Sequence, residues 1–528
     1  MRTVLFGLDG ATYTVLDALM AQGIMPALKK FCESGVRCEL ESTPLPITPQ
    51  AWTTLATGRS MGYHGVHDFV RAELNERGMM LRFNTSRDNH CQTIWKYLSE
   101  HGRRVTVLNY FGLAPADPVN GHTMPGFVPG RYLRRSSYPA DLFDRLKSLP
   151  QFDVSVLGLD LDVEKEGLAE MPPERWSEWI NLHIQRERAW FSTLEYLMEH
   201  EPSDLSAIVF DGVDKLQHLA YRYLDPKYVP AEPTAWEREI IDLCHQYFRQ
   251  VDGFLARTLE LVGPQGRVFI ASDHGFTAST EIVYINRYLH DLGLLHWTRE
   301  MAEDDRESIV VERLTQHTNL FDWEKTRAAA LTPSCNGVYI MNVPPEEYTD
   351  FREELIAHLL ALRGPDGQPV IAEIKKREEW FAGPYMGHAP DLTLTLRDHG
   401  FLSVLHAAQP VATRSAAVGT HHPQGVLIGH GVGLKQNARV EGQNILDVAG
   451  LLVHSVGLPI PAEYEGEFPA RLFDPQYLAE HPPRFGALAD REDEMAPAVV
   501  LDDADSGGMD PEDELALTHR LRSLGYIE

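Results

Sequence analysis

Apolar and polar positions alternate along this chain in blocks that read as strand, helix, strand. Thr3 to Leu8 is a short apolar run that leaves into Asp9-Gly10, a strand with an acidic exit turn. Val15 to Met20 carries Leu16, Leu19 and Met20 at i, i+3 and i+4, and Met25 to Cys32 has Pro26 placed for a first turn, so both read as helices. Gln92 to Ser99 predicts a helix and Arg104 to Leu108 a strand, while the Pro- and Gly-rich stretch from Asn109 to Gly130 reads as a long loop. Pro173 to Glu199 is a long amphipathic helix whose aromatic stripe (Trp176, Trp179, Trp190, Phe191) reads as core packing. Leu205 to Phe210 is a strand, Trp236 to Leu261 a helix and Val268 to Ala271 a strand. Further strands are expected at Val338 to Met341, at Pro390 to Leu396 and just after His421-His422. This alternation predicts an α/β fold.

Several of these strands end on residues able to do chemistry. Val268 to Ala271 runs into Asp273-His274-Gly275, and in an open α/β sheet ligands bind beyond the carboxyl ends of strands. A carboxylate and an imidazole at that place suit a zinc-like ion; the competing reading is an Asp cap beside a surface histidine. Asp214 and His218, four apart after the Leu205 strand, share a helix face and suit either a shared metal or an ordinary i, i+4 pair. Thr48 precedes the helix-like run from Trp52, where it reads as an N-cap or as a nucleophile facing a phosphoryl anion at a helix N-terminus. His64 and His67 read as part of a structural loop in preference to a metal site.

Composition narrows the function classes. The chain has 528 residues, 43% of them hydrophobic, enough for a large core. Its net charge of -28 argues against binding nucleic-acid polymers and suits a protein that gathers divalent cations. The cysteines number five, with no C-x-x-C pair, which points to reduced thiols in a cytoplasm. The N-terminal apolar run is too short for a signal peptide and no apolar run of membrane-spanning length follows, so a cytoplasmic protein without a membrane span is expected. The tail from about Arg491 is acidic, with Asp502, Asp503 and Asp505. It reads as a linker before a helix with Asp510 as N-cap, Pro511 at N1 and Gly525 as stop.

Taken in order, Leu5-Phe6-Gly7-Leu8-Asp9-Gly10, Thr48-Pro49-Gln50-Ala51-Trp52 with Thr57-Gly58 and His64-Gly65, Asp214-x-x-x-His218, Ser272-Asp273-His274-Gly275 and Gly419-x-His421 resemble the alkaline phosphatase superfamily. Within it they resemble the type I phosphodiesterase/nucleotide pyrophosphatase branch. Weaker echoes are Pro125-Gly126-Phe127, Ile285-Asn286-Arg287 and Pro390-Asp391-Leu392.

The resemblance implies an α/β/α sandwich with a central, mostly parallel mixed sheet and two divalent metal ions at the carboxyl ends of its strands. By motif, Asp9, Thr48, Asp273 and His274 would hold one ion, and Asp214, His218 and His421 the other. Zinc is the usual ion of the family, with manganese in some members. The implied activity is a phosphoryl-transfer hydrolase acting on phosphodiesters or nucleotide pyrophosphates through a phosphothreonine at Thr48. The substrate would be a small-molecule phosphate ester. A phosphomonoesterase or phosphonate hydrolase of the same superfamily is the alternative, and a non-catalytic, metal-stabilised scaffold is the alternative of another class.

Two departures stand out. Members of the branch that cleave nucleotides carry an Asn a few residues after the His-Gly motif, where this chain reads Val66-His67-Asp68-Phe69. Many members are secreted or membrane-attached. The domain reading is a catalytic unit over residues 1–480, with insertions at about 110–200 and 298–380 as lid or subdomain. An acidic linker and C-terminal helix would follow over 481–528, the helix docking on the body or on a second copy.

Overall fold

The computed structural model describes residues 2–75, 78–149, 152–158, 171–298, 320–332 and 334–486. The expected C-terminal helix with its acidic linker from 487 onward, and part of the expected insertion at 299–319, lie outside the described residues.

The central sheet has eight strands: β1 (Thr3–Leu8), β2 (Val36–Glu41), β3 (Val105–Leu108), β4 (Gly121–Met124), β5 (Leu205–Phe210), β6 (Arg267–Ala271), β7 (Gln424–Gly431) and β8 (Ala438–Asn444). Their order is β8-β2-β7-β6-β1-β5-β3-β4. Only β7 runs against its neighbours; the other pairings are parallel. β1, β5 and β6 are buried at every position, which explains why they read as continuous apolar runs: parallel strands covered on both faces have no polar side.

Helices cover both faces. We label α1 Thr48–Thr57, α2 Trp176–His200, α3 Gly212–Ala220 and α4 Ala235–Val262. Val4, Phe6 and Leu8 of β1 join the core beneath α2 and α4, which holds Trp179, Trp190 and Phe191 of the expected stripe. Leu5, from the other face of the same strand, joins a second core with Trp52 and Leu55 of α1. Period-two alternation along β1 therefore divides the chain into an α/β/α sandwich. Gly7 is small for a reason: a Cβ there would lie 2.9 Å from the Trp52 ring and 2.9 Å from the Ile208 carbonyl oxygen.

Two local readings are extended. Within the expected 109–130 loop, Gly121–Met124 pairs with β3 as an edge strand. His421 and His422 precede the expected strand, β7 (Gln424–Gly431). They also end one, Val411–His422, which pairs antiparallel with Gly275–Tyr284 and sets His421 opposite Phe276. A helix, Ile285–Asp291, follows Gly275–Tyr284. Beyond it, Ala328–Ala329, Gly337–Ile340, Ile371–Lys376 and Leu392–Leu396 form an antiparallel sheet. That sheet packs around its own core, which includes Val338, Leu355, Leu359 and Leu394. Among the described residues no helix is long and apolar enough to cross a membrane.

Candidate metal centre

The centre forms where β6, β1 and β5, adjacent and parallel, release the chain at the same edge. Asp9 follows β1, Asp273 follows β6, and α3 after β5 carries Asp214 in its first turn with His218 one turn on. Gly212 lets α3 begin close to α2: its N–H donates to Glu187 Oε1 at 2.7 Å, and a Cβ would meet that oxygen at 2.6 Å. Thr48 arrives from the far side, at the N-terminus of a ten-residue helix buried throughout and closed by Gly58 at φ 62°. First-turn N–H groups lack partners inside a helix, so an anion beside Thr48 would meet donors and the positive end of the dipole.

The structure brings all seven sequence candidates together, each buried. Asp9, Asp273 and His274 present ligand atoms within 4.8 Å of one another, and so do Asp214, His274 and His421. His274 Nε2 lies 3.3 Å from Asp273 Oδ2, 3.6 Å from Asp9 Oδ1 and 4.0 Å from Asp214 Oδ1, and joins the two groups. Thr48 Oγ1 is 3.5 Å from the same nitrogen. Asp214 Oδ1 is 3.2 Å from His421 Nε2 and 3.4 Å from His218 Nε2, and those two nitrogens are 3.0 Å apart.

Hydrogen bonds behind the rings decide what these nitrogens present. Nδ1 of His274 faces the Gly275 carbonyl at 3.0 Å, Nδ1 of His218 the Gly419 carbonyl at 3.2 Å, and Nδ1 of His421 the Pro46 carbonyl at 2.6 Å. A carbonyl oxygen only accepts, so each Nδ1 carries a proton, and a ring in its neutral form turns the Nε2 lone pair inward. Burial, with His421 beside it, pushes the His274 pKa well below the ordinary histidine range, which keeps that ring neutral. Burial, then the charges of Asp273 and Asp214, drives the Asp9 carboxyl well above its ordinary range; burial does the same to Asp273. Asp9 Oδ1, Asp214 Oδ1 and Asp273 Oδ2 accept no hydrogen bond. Lone pairs and unpartnered carboxylate oxygens thus converge in a buried space, an arrangement that divalent cations fit and that is costly without them.

The other oxygens of Asp9 and Asp273 are anchored. Trp52 Nε1 donates to Asp9 Oδ2 at 3.1 Å, and the Gly10 N–H donates to Asp273 Oδ1 at 3.1 Å. Sequence reading missed Trp52 as a site residue; its place next to the Thr-Pro-Gln-Ala motif was the available signal. Gln50, two residues past Thr48, has a fully buried amide in which neither the oxygen nor the nitrogen has a hydrogen-bond partner.

The histidines of the His64 loop take no part in either donor group. His64 accepts the Val66 N–H at 3.1 Å and pairs with Thr54 at 3.0 Å, and His67 Nε2 bonds the Tyr385 carbonyl at 3.2 Å. Phe69, at the end of the Val66-His67-Asp68-Phe69 stretch, packs in a small apolar cluster with Leu45, Ile47 and Phe83. The weaker echoes hold structure. Gly126 lies where a Cβ would be 2.4 Å from Asn109 Oδ1, and Asn286 bridges the Ala330 and Val404 carbonyls. Asp391 accepts from the Ile340 N–H at 2.7 Å and from Tyr348 Oη at 2.5 Å. His422 stacks edge-on to His399 at 4.6 Å, away from the centre's nitrogens.

Residues 3–424 match the family described as type I phosphodiesterase/nucleotide pyrophosphatase. No curated protein matches the chain. Among solved structures, phosphonoacetate hydrolase from Sinorhizobium meliloti 1021 superposes with a TM-score of 0.52 at 15% identity, covering 87% of this chain and 96% of that one. Murine ectonucleotide pyrophosphatase/phosphodiesterase 5 does so with a TM-score of 0.51 at 13% identity, covering 90% of this chain and 100% of that one. At such identity the likeness is one of fold.

Proposed function

Since the chain belongs to the type I phosphodiesterase/nucleotide pyrophosphatase family, we propose that it is a metal-dependent phosphodiesterase in which Thr48 carries the phosphoryl group. The observation that carries this reading is the convergence on Thr48 of buried carboxylates and of imidazoles whose Nε2 lone pairs point inward. Asp9, Thr48, Asp273 and His274 would hold one divalent ion, and Asp214, His218 and His421 the other. The mixed carboxylate and imidazole donors favour zinc, with manganese second. Such ions supply positive charge that lowers the pKa of a coordinated hydroxyl and offsets charge on the phosphoryl oxygens.

The residues do the rest. Thr48 Oγ1 gives its proton to water and bonds to phosphorus as the bond to the departing alcohol oxygen breaks, and that oxygen takes a proton from water. A water then attacks phosphorus from the vacated side, the Oγ1–phosphorus bond breaks, Thr48 regains a proton and a phosphomonoester leaves. The first turn of α1 holds the non-bridging oxygens through both steps. Gln50 is the side-chain donor that stands in for the missing Asn. The five unpaired cysteines support a reducing, cytoplasmic setting. Residues up to about 480 serve as one catalytic unit.

A second reading, phosphomonoesterase or phosphonate hydrolase, is favoured by one observation: the Val66-His67-Asp68-Phe69 stretch offers no Asn to touch a non-bridging oxygen. A paired assay separates them. Zinc-loaded protein is given bis-p-nitrophenyl phosphate and p-nitrophenyl phosphate, with Thr48→Ala beside it. Faster diester cleavage that is lost in the variant supports the phosphodiesterase; faster monoester cleavage moves the reading to the alternative. No turnover of either by protein carrying two metals would favour a non-catalytic scaffold.

A further inference from the structure

Gln217 stands between the two ligand sets without belonging to either. It lies on α3, three residues past Asp214 and directly before His218, and is fully buried. Its Nε2 donates to the Gly10 carbonyl at 2.7 Å, and the Gly10 N–H donates to Asp273 Oδ1 at 3.1 Å. A single residue of backbone, Gly10, thus joins the helix that carries Asp214 and His218 to a carboxylate of the other set. Gly10 sits at φ 67°, and a Cβ there would lie 2.7 Å from the Phe276 ring and 3.1 Å from Asp214 Oδ1. Only glycine lets the turn after Asp9 press this closely on its neighbours.

Gln217 also meets the strand that delivers His421. Its carbonyl oxygen lies 2.2 Å from where a Cβ on Gly419 would stand, and the Gly419 carbonyl accepts from His218 Nδ1 at 3.2 Å. By side chain and by backbone, one residue therefore touches segments that carry ligands of both sets. The side chain acts as a tether and not as filling. Its Oε1 is buried without a hydrogen-bond partner, a desolvation cost that an apolar side chain of the same length would not carry. What offsets that cost is the bond to Gly10.

Asp9 Oδ1, Asp273 Oδ2 and Asp214 Oδ1 crowd within 4.0 Å of His274 Nε2 and accept no hydrogen bond. Holding such groups in place is costly until a cation draws them together. A cation held by Asp9 and Asp273 fixes the turn at Gly10, and through Gln217 it fixes α3. The second set is then ordered before its own ion arrives, and an ordered set binds more tightly. Resting on the two-ion reading of the centre, we propose that Gln217 is a positioning residue that couples the two metal sites, so that filling either raises the affinity of the other.

The test measures zinc affinity of the full chain by chelator competition. His421→Ala and Asp9→Ala each keep one ligand set whole, and the parent keeps both. The parent's constant for taking up two ions is expected to exceed the product of the two single-ion constants about tenfold. Gln217→Met keeps the length of the side chain and deletes the donor. It should bring that excess down to about one, while each single-ion constant stays within about twofold when the same change is made in the two one-site variants. An excess of one or less in the parent overturns the inference, whether or not Gln217→Met folds. So does an excess that survives in Gln217→Met, and so does an equal weakening of a lone ion, which would make Gln217 a support of one site only. A parent that takes up fewer than two ions at saturating zinc overturns the two-ion reading itself.

Discussion

The Nδ1 nitrogen of His421 lies 2.6 Å from the carbonyl oxygen of Pro46, two residues ahead of Thr48. One hydrogen bond therefore links the strand that carries His421 near its end to the turn that delivers the threonine. It also fixes the tautomer that turns the His421 Nε2 lone pair toward Asp214, 3.2 Å away.

Removing His421 should thus disturb metal binding first. His421→Ala is expected to retain one divalent ion per chain where the parent holds two, by metal analysis after dialysis. Its thermal unfolding should respond less to added zinc, since a ligand at about 100 times its Kd stabilises the folded state by roughly 2.7 kcal/mol per site. Full occupancy of both sites in the variant would refute the ligand assignment.

Trp52 acts on the metal through Asp9. Trp52→Phe keeps the ring that packs over Gly7 and deletes the 3.1 Å bond to Asp9 Oδ2. Loss of a partner behind a ligand typically costs about 10- to 100-fold in metal affinity or activity. Zinc titration of the chelated variant should show that weakening at one site, with the far-ultraviolet circular dichroism unchanged.

Gln50 separates function from stability. Its two unpartnered amide atoms carry a desolvation cost of about 1–3 kcal/mol each when nothing is bound. Gln50→Met should therefore raise the unfolding free energy while lowering kcat/KM about 100-fold, the scale of removing one donor to a transition-state oxygen. A variant that gains stability and keeps full activity would show that Gln50 touches no phosphoryl oxygen.

Asp68 provides a test in pH. Burial raises its carboxyl to about 6, against the lowering effect of its bonds from Ser334, Thr332 and the Phe69 N–H. A group whose folded pKa lies above the unfolded value of 3.8 stabilises the fold fully below that value, and the contribution disappears as pH rises through 6. Asp68→Asn removes this dependence. Relative to the parent, it should gain on the order of 3 kcal/mol between pH 4 and pH 7.5 in urea unfolding. A constant difference across that range would contradict the assignment.

Much of this centre was legible because its residues follow apolar runs. Thr3 to Leu8, Leu205 to Phe210 and Val268 to Ala271 mark β1, β5 and β6, and the acidic residues just past them fall at one sheet edge once the strands pair in parallel. His421 was legible only by motif. Its place depends on the antiparallel register with Gly275–Tyr284, which no local pattern encodes. The partners that orient the rings, the carbonyls of Pro46, Gly275 and Gly419, are backbone atoms and leave no mark in residue identity. The cavity beside His421 was illegible for a related reason: Glu41 ends β2, Trp380 ends a short helix and Phe401 precedes a two-residue strand, and they meet only in the folded chain.

The most direct test of Thr48 as carrier of the phosphoryl group is the stereochemical course at phosphorus. A diester made chiral with sulfur and an oxygen isotope is hydrolysed in isotopic water, and the product configuration is read by phosphorus NMR. Two in-line displacements, first by Thr48 and then by water, predict net retention, with no turnover by Thr48→Ala. Inversion, or undiminished turnover by Thr48→Ala, would mean that water attacks the substrate directly and that no phosphothreonine forms.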